Sequence, residues 1–202
     1  EEAFQNPRPN EDGTFNIDDF PKYAAEGEVQ KGGTLNFGLV SDTPFAGLLN
    51  WNFYSGDPDY QVINWFDEPL LWIDEAFQYT KDGPATFEYT DDYKVWTFTI
   101  RDDVYWHDGE PVTAEDWAFS YEIIGHPDYD GIRYGSDFTI IEGMEEYHAG
   151  EADTISGIEV IDEKTLQITY KSPTPSLLAG GVWPYATPKH VFEGIAVADM
   201  SE

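Results

Sequence analysis

The chain has 202 residues, and its 40 acidic and 10 basic side chains give it a formal net charge of −30. A surface this acidic repels nucleic acid phosphates and anionic lipid headgroups, so we expect no nucleic acid partner and no direct binding to a bilayer surface. Hydrophobic residues make up 41% of the chain and aromatic residues 16%, enough for a packed core, while the lack of cysteine excludes disulfides and thiolate metal sites.

Residues 1–31 are polar, rich in Pro, Asn, Asp and Glu, and follow neither a helical nor a strand period. We therefore expect an extended N-terminal arm or linker there. Within it, residues 10–19 approximate a calcium-binding loop, but Arg8 occupies the position of the first carboxylate ligand. Because a cation at that position disfavours calcium, the segment is predicted to be an ordinary Asp-Gly turn without a metal.

Short elements and loops alternate in the next part of the chain. Residues 33–40 are predicted to form a strand, followed by a loop over 41–51 that contains Pro44 and Gly47. The apolar spacing over 57–66 predicts a short helix, and residues 70–73 a brief strand. After a turn at 82–84, a strand that includes residues 87–89 is expected to pair with the strand that follows it.

The stretch from residue 93 to residue 121 carries the strongest local signals. Aromatic and β-branched side chains occur on both faces of a strand over 93–100, so we expect both faces to be packed. Asp108-Gly109 predicts a hairpin turn, because glycine adopts positive φ at no steric cost. Thr113 and Asp116 predict a capped helix start. Four apolar side chains then share one helical stripe: Trp117, Ala118, Tyr121 and Ile124.

The last part of the chain returns to a hairpin. After a Gly- and Asp-rich loop at 126–137, a helical spacing is predicted up to a stop at Gly150, on the positions Phe138, Ile141, Met144 and Tyr147. Two strands are expected around residues 162–164. Because helices and antiparallel hairpins are mixed without a regular strand–helix–strand alternation, the predicted fold class is α+β.

No catalytic or metal-binding constellation is found in the sequence. His107, Asp108 and Glu110 are close together, but a tight turn points such side chains apart and no second histidine lies nearby. The sequence has no nucleophile elbow, no His-Glu-x-x-His motif and no phosphate-binding glycine loop. We therefore expect a protein that is not an enzyme and that needs no cofactor. The remaining histidines are isolated, as is typical of surface or structural positions: His126, His148 and His190.

Four segments of the chain follow the order of a known family. VYWHDGEPVTAED at 104–116 comes after a strand that ends in Ile100-Arg101 and before a helix, where the family has a strand ending in Leu-Arg and a pattern close to dgvkfhdGeplTAeDv. GGTLNFG at 32–38, SGIEVIDEKTL at 156–166 and WPYATPKH at 183–190 are similar to the family's opening strand, its later hairpin and its segment ending in Pro-Lys-His. Over about residues 32–194, the chain resembles the family 5 extracellular solute-binding proteins, the peptide and nickel receptors of ABC importers.

The resemblance implies part of lobe I of a type II periplasmic-binding-protein-like fold. Residues 32–48 and 180–202 would form a portion of the main lobe I, and residues 49–179 the extra subdomain of the peptide-binding members. Receptors of this family are more than twice as long and have two lobes. We therefore expect an N-terminal fragment whose second lobe lies beyond Glu202 and which, as half of a clamshell, does not bind ligand measurably alone.

Ligand binding is expected at the loop that leaves the first predicted strand, because ligands of open α/β sheets lie beyond the carboxyl ends of strands. An extended peptide would pair there with the main chain as an added strand. The candidate residues are Val40, Ser41, Asp42, Thr43 and Phe45. Three more aromatic residues are candidates for apolar pocket walls, although tryptophan is more often a core residue: Trp51, Tyr54 and Trp183.

By the resemblance, the protein is the substrate-binding component of an ABC importer that captures oligopeptides and delivers them to a permease and its ATPase. Peptides are favoured over nickel or sugars because residues 126–157 resemble the Gram-positive peptide receptors best. We expect a monomer on the extracellular face of the membrane, held by a lipid anchor outside this chain, or in the periplasm. Two alternatives stay open: an extracellular glycan-binding or hydrolytic module, and a surface adhesin or signalling receptor on the same scaffold.

Overall fold

The computed structural model describes residues 32–34, 36–53, 56–74 and 76–201. The chain divides into one compact unit at Glu1–Gly38 and a second at Leu39–Glu202. The predicted N-terminal arm and the calcium-like segment at 10–19 lie outside the described residues. All helices and strands of the described residues belong to the second unit.

A four-stranded antiparallel sheet organises the second unit. Its strands are Ala85–Tyr89 (β1), Val95–Ile100 (β2), Ile158–Val160 (β3) and Thr165–Thr169 (β4). They lie in the order β1-β2-β4-β3, and all four were predicted from the sequence.

One face of this sheet forms the core. Phe98 of β2 lies opposite Leu166 of β4 in the register, and Trp96 lies opposite Ile168. The residues between them are only partly buried, and Thr99 is exposed. The prediction that both faces of β2 are packed is therefore wrong: Val95, Thr97 and Thr99 line the more solvated face, which is common in antiparallel sheets. The side chains of the core face are almost fully buried: Trp96, Phe98, Ile100, Leu166 and Ile168.

The longest helix, α2 (Ala114–Gly125), packs on β3 and β4. A capping box fixes its start, because the Asp116 backbone N–H donates to Thr113 Oγ1 at 3.2 Å and the Thr113 N–H donates to Asp116 Oδ2 at 2.8 Å. Trp117 meets the Phe98 ring edge-on, with 5.1 Å between the ring centroids. The predicted stripe is confirmed, since all four of its members are buried: Trp117, Ala118, Tyr121 and Ile124.

The segment before the sheet contains one predicted helix and one prediction that fails. Helix α1 spans Asp57–Ile63, as expected from its apolar spacing. Residues 70–73 form no strand, and Ile73 makes only an isolated antiparallel bridge with Tyr79. The Asp74 carboxylate accepts hydrogen bonds from the backbone N–H groups of Ala76 and Gln78, which closes a tight turn. Because this turn reverses the chain directly after Ile73, only the pair Ile73 and Tyr79 forms a β-bridge.

The strand predicted over 33–40 is also wrong. None of the described residues in this range belongs to a strand, and they are exposed. A strand is defined by hydrogen bonding to a neighbouring strand, and these described residues form no such pairing. The alternation of side-chain types over 33–40 therefore did not predict a paired strand.

The single helix predicted up to Gly150 is split into α3 (Ser136–Thr139) and α4 (Met144–His148). Between them, Ile141 bridges Tyr170, and the Glu142 N–H donates to the Thr169 carbonyl at 3.0 Å. The backbone of 141–142 is thus paired at the edge of the sheet and cannot continue a helix. Gly143 follows with a φ of 75°, which turns the chain into α4.

The remaining elements are two short helices, α5 (Leu177–Gly180) and α6 (Lys189–Phe192), and a 3₁₀ turn at Val197–Asp199. Mixed helices with an antiparallel sheet confirm the predicted α+β class. No helix in the described ranges is long and apolar enough to span a bilayer. The division into residues 49–179 and two flanking segments stays a prediction.

Candidate functional site

A cavity of about 800 Å³ opens between α1, the segment after it and residues 181–185. Cavities of about 300–1,000 Å³ with mostly apolar walls are typical ligand sites. Three charged side chains and one amide contribute to its lining: Asp67, Glu68, Arg133 and Asn64. Nine of the twenty lining residues are aromatic: Trp51, Tyr60, Trp65, Phe66, Trp72, Tyr79, Trp117, Trp183 and Tyr185. Such a lining suits an organic ligand that has both apolar and polar parts.

One wall of the cavity is a stack of aromatic and cationic groups. The Trp51 and Tyr185 rings are stacked, with centroids 4.9 Å apart and an interplanar angle of 6°. The Arg133 guanidinium lies 4.1 Å from the centroid of the Trp51 ring, and its Nε donates to the Trp51 carbonyl at 3.2 Å. Because the guanidinium is held by both the ring and the carbonyl, this wall is rigid before any ligand arrives.

Trp183 joins the cavity to the hydrophobic core. Its ring meets the Phe98 ring edge-on at 5.1 Å and the Tyr79 ring edge-on at 6.0 Å between centroids. Next to it, the Trp117 indole N–H donates to the Pro184 carbonyl at 2.9 Å. The segment 183–185 is therefore fixed by α2 and by β2. The Trp183 indole N–H itself is buried and has no hydrogen-bond partner among the described residues.

Asp67 places on the cavity lining a carboxyl group whose pKa is raised. Its side chain is half-buried on the cavity wall. Burial raises the pKa of the Asp67 carboxyl to about 7, against the smaller opposing effect of a hydrogen bond from the Glu68 backbone N–H. The cavity therefore gains a negative charge as the pH rises through neutrality.

The arrangement offers binding groups and no metal centre. Among residues 32–34, 36–53, 56–74 and 76–201, no group of three or more histidines and acids is placed to hold a metal ion. Within the cavity the polar groups are an amide, two carboxylates and a guanidinium beside aromatic rings. These groups can hold a ligand by charge, hydrogen bonds and ring contacts.

The five ligand-binding residues predicted from the sequence lie on an exposed loop and outside the lining of the cavity. Val40 is 96% exposed and Phe45 is 56% exposed. Ser41 Oγ lies 3.1 Å from Thr43 Oγ1 and accepts from the Thr43 backbone N–H, so a local turn forms around Asp42. Their assignment to ligand binding stays a prediction.

A buried carboxylate anchors the end of this loop to α1. Asp59 is 1% exposed and accepts hydrogen bonds from the backbone N–H groups of Ala46, at 3.1 Å, and Gly47, at 2.7 Å. Tyr60, the next residue of the helix, lines the cavity. The loop and the cavity are thus attached to the same short helix.

Of the three predicted pocket-wall residues, Trp51 and Trp183 do line the cavity, and Tyr54 lies outside the described residues. Sequence reasoning missed Asp67 and Arg133. A signal for Asp67 was present, since the acidic pair 67–68 sits between aromatic residues at 65–66 and 72. Nothing near Arg133 in the sequence marks it as a neighbour of Trp51.

Two of the sequence segments that resemble the family, at 104–116 and 183–190, meet in space. His190, isolated in sequence, has its Nε2 2.8 Å from Asp108 Oδ2 in the hairpin turn. The Asp108 carboxylate raises the pKa of His190, and His190 lowers the pKa of Asp108. The Lys189 backbone N–H donates to Asp116 Oδ1 at 2.8 Å. The Pro-Lys-His segment is therefore tied to both the hairpin turn and the start of α2.

Comparisons with known proteins identify the family. The family model described as bacterial extracellular solute-binding proteins, family 5 Middle, matches residues 79–199, which is more than half of the chain. The chain belongs to this family. The family resemblance is confirmed: three of the four segments, at 104–116, 156–166 and 183–190, lie within the matched range, and the family is one of solute-binding proteins.

Two named proteins are similar to this chain in sequence. The oligopeptide-binding protein OppA of Lactococcus lactis subsp. lactis (strain IL1403) is 38% identical over 111 residues, which cover 54% of this chain and 18% of that protein. The periplasmic oligopeptide-binding protein OppA of Escherichia coli (strain K12) is 35% identical over 139 residues, which cover 66% of this chain and 25% of that protein.

The fold is shared with a solved member of the family. The structure of lactococcal OppA, complexed with an endogenous peptide in the closed conformation, matches with a TM-score of 0.72 and 29% identity over 80% of this chain and 31% of that one. The predicted periplasmic-binding-protein-like fold is thereby confirmed. The chain spans between 18% and 31% of the length of these three relatives.

Proposed function

We propose that this protein is the substrate-binding component of an ABC importer and that it captures oligopeptides. The observation that carries the proposal is an aromatic-walled cavity of about 800 Å³ in a member of the family 5 solute-binding proteins. Two relatives of this chain are named as oligopeptide-binding proteins, and a structure of lactococcal OppA was solved with a peptide bound. The protein binds its ligand and leaves it chemically unchanged.

The peptide lies against the exposed loop and reaches into the cavity. Val40 and Asp42 form no backbone hydrogen bonds with other described residues, so their main chain is available to an added strand. Ser41, Thr43 and Phe45 flank this edge with two hydroxyls and a ring. Main-chain pairing binds peptides of many sequences, while the cavity receives one side chain and discriminates among them.

In this proposal the chain is part of the first lobe of a two-lobed receptor. Residues 32–48 and 180–202 belong to the main first lobe, and residues 49–179 form its extra subdomain. A second lobe closes over the peptide, and the closed receptor docks on a permease with its ATPases. The receptor is a monomer outside the cell membrane, held by a lipid anchor or free in the periplasm.

Mass spectrometry of co-purifying material tests the proposal. The full-length gene product that carries this chain is purified without denaturation, then denatured, and the released small molecules are sequenced. We expect peptides of mixed sequence in the released fraction. Oligosaccharides in place of peptides would contradict the proposal and support the glycan-binding alternative. Calorimetry on residues 1–202 alone is expected to show no measurable peptide binding, and a micromolar affinity would contradict the requirement for a second lobe.

A further inference from the structure

We propose that the cavity between α1 and residues 181–185 is a subsite for a basic side chain of the ligand, with Asp67 as its anionic partner. This inference rests on the proposed function, since it takes the ligand to be a peptide. It adds the chemical class of side chain that this part of the protein selects.

The charges of the cavity are the first support. Asp67 and Glu68 place two carboxylates on its lining, and neither forms an ion pair with a cation among the described residues. Arg133, the cation on the same lining, is held by the Trp51 ring and carbonyl. A positively charged guest would therefore find anionic groups in the cavity that form no ion pair with a cation of the described residues.

The aromatic walls are the second support. Three large rings beside Asp67 remain substantially exposed, with exposed fractions of 61% for Trp65, 45% for Phe66 and 41% for Trp72. A lysine or arginine side chain has an apolar stem and a cationic head. The stem packs on such rings while the head reaches a carboxylate, and the rings also attract the cation directly. A short acidic or neutral polar side chain gains neither contact.

The third support is a pair of polar groups on the cavity lining that the described residues satisfy only in part or not at all. Burial makes the charged form of Asp67 costly, as its pKa of about 7 records, and a nearby cation would offset that cost. On the same lining, Trp183 is 8% exposed and its indole N–H has no hydrogen-bond partner among the described residues. The polar groups of this lining are therefore incompletely satisfied by the described residues, and Asp67 gains a partner when a basic side chain is bound.

The charge of the whole chain has the same sign as the subsite. A net charge of −30 attracts basic ligands and repels acidic ones over long distances, especially at low salt. This attraction acts on every part of the surface and does not locate the subsite. A test must therefore separate the local effect of Asp67 from the effect of net charge.

Other ionisable groups near Asp67 must also be separated. Tyr60, Tyr79, Tyr185, Glu68 and Arg133 line the same cavity. A smaller neighbouring cavity is lined by Asp67 and Glu68 together with Tyr105 and His107. His107 is the histidine that shares this smaller cavity with Asp67, so a variant of His107 serves as a control.

The experiment compares pairs of peptides that differ by one charge. Alanine pentapeptides carry a single lysine, placed at each position in turn, and each is matched by a peptide with norleucine at that position. Calorimetry on the full-length gene product measures their affinities at pH 8 and at pH 5.5. Three variants are compared with the natural protein. Asp67→Asn removes the proposed partner, Glu159→Gln removes an exposed charge on β3, and His107→Gln removes the neighbouring imidazole.

At one position, we expect the lysine peptide to bind about tenfold more tightly than its norleucine counterpart at pH 8, which corresponds to ~1.4 kcal/mol. At pH 5.5 Asp67 is protonated, and the ratio of the two affinities falls toward one. Asp67→Asn removes the preference at pH 8. Glu159→Gln, with the same net charge as Asp67→Asn, keeps it, and His107→Gln keeps both the preference and its pH dependence.

Two results would overturn the subsite while leaving the proposed function intact. One is equal affinity for lysine and norleucine peptides at every position, and the other is a lysine preference that Asp67→Asn does not reduce. If no peptide of either series binds, the proposed function fails together with the subsite. Should circular dichroism show that Asp67→Asn is unfolded, the pH dependence of the natural protein decides, and a lysine preference equal at pH 5.5 and pH 8 contradicts the proposal.

Discussion

Two aspartates in this unit show how differently the protein uses the same side chain. Asp116, at the start of α2, is 4% exposed and accepts from Thr113, from the Trp106 indole N–H at 3.2 Å and from the Lys189 backbone N–H at 2.8 Å. Asp67, on the cavity wall, is half-buried with one backbone donor, and burial raises its pKa to about 7.

The difference separates a structural carboxylate from a binding carboxylate. Donors around Asp116 compensate the loss of water, so its charge stabilises the fold. Around Asp67 that compensation is incomplete, so its charge costs stability and is available to a ligand. One substitution, aspartate to asparagine, should therefore change stability in opposite directions at the two sites.

The largest expected effect on stability is at Gly143, which packs against Ser156. We compare it with the effect at Gly109, which lies in a hairpin turn and where a Cβ would have no neighbour within 4 Å. A Cβ at Gly143 would lie 2.4 Å from Ser156 Oγ and 2.6 Å from the Ser156 backbone nitrogen, and the φ of 75° already disfavours alanine. Gly143→Ala should lower the free energy of unfolding by about 3 kcal/mol. Gly109→Ala, at a φ of 94° with nothing within 4 Å, should lower it by only about 1 kcal/mol. Urea denaturation measures both, and equal losses would show that packing at Gly143 is unimportant.

Asp116→Asn should lower the free energy of unfolding by about 2 kcal/mol. The amide group replaces one carboxylate oxygen, so donors that now share Asp116 lose an acceptor in a buried place. Asp153→Asn, at an exposed position, serves as the control for the loss of one charge and should change stability by less than about 0.5 kcal/mol. If the two variants unfold at the same urea concentration, the hydrogen bonds that Asp116 accepts from Trp106, Thr113 and Lys189 do not stabilise the fold.

Asp67→Asn should raise stability at pH 8 by about 1 kcal/mol. Because the folded-state pKa of about 7 exceeds the unfolded value, the neutral carboxyl favours the fold below about pH 4, and this contribution is lost as the pH rises through 7. Asparagine cannot ionise and keeps the favourable state; solvent screening of a half-buried group keeps the gain small. Denaturation at pH 5 and pH 8 checks this, with Glu159→Gln as the control. A variant less stable than the natural protein at pH 8 would mean that Asp67 is structural.

The smallest effect concerns the His190–Asp108 pair. The raised pKa of His190 contributes stability below about pH 6.5 that is lost as the pH rises through its folded-state value, and the lowered pKa of Asp108 contributes stability that is lost in acid. His190→Gln should therefore lower the melting temperature slightly at pH 5 and not at pH 9. An equal decrease at both values would show that packing of the ring, and not its charge, matters.

The sequence predicted those parts of the unit that depend on neighbours along the chain. Gly109 marks its turn and Thr113 its helix cap, because a glycine with positive φ and a hydroxyl three residues before an acid act locally. The split between α3 and α4 was missed because Glu142 pairs with Thr169, which a helical spacing of apolar residues does not reveal. The strand over 33–40 failed for a related reason, since pairing depends on the presence of a partner.

The candidate site was predicted only in part, because its contacts join residues that are distant in sequence. Trp51 and Trp183 were proposed as pocket walls from residue type alone, and both line the cavity. Arg133 was missed because it reaches Trp51 across 82 positions of sequence. The exposed loop at 40–45 was chosen because it follows the first predicted strand, and its role stays a prediction.

A crystal structure of the full-length gene product with a lysine-containing alanine pentapeptide bound is the most direct test of the central claim, that this cavity receives the ligand. We expect the peptide main chain beside residues 40–42 and the lysine ammonium within hydrogen-bond distance of Asp67. A peptide bound elsewhere, with the cavity filled by the protein's own side chains, would contradict the account.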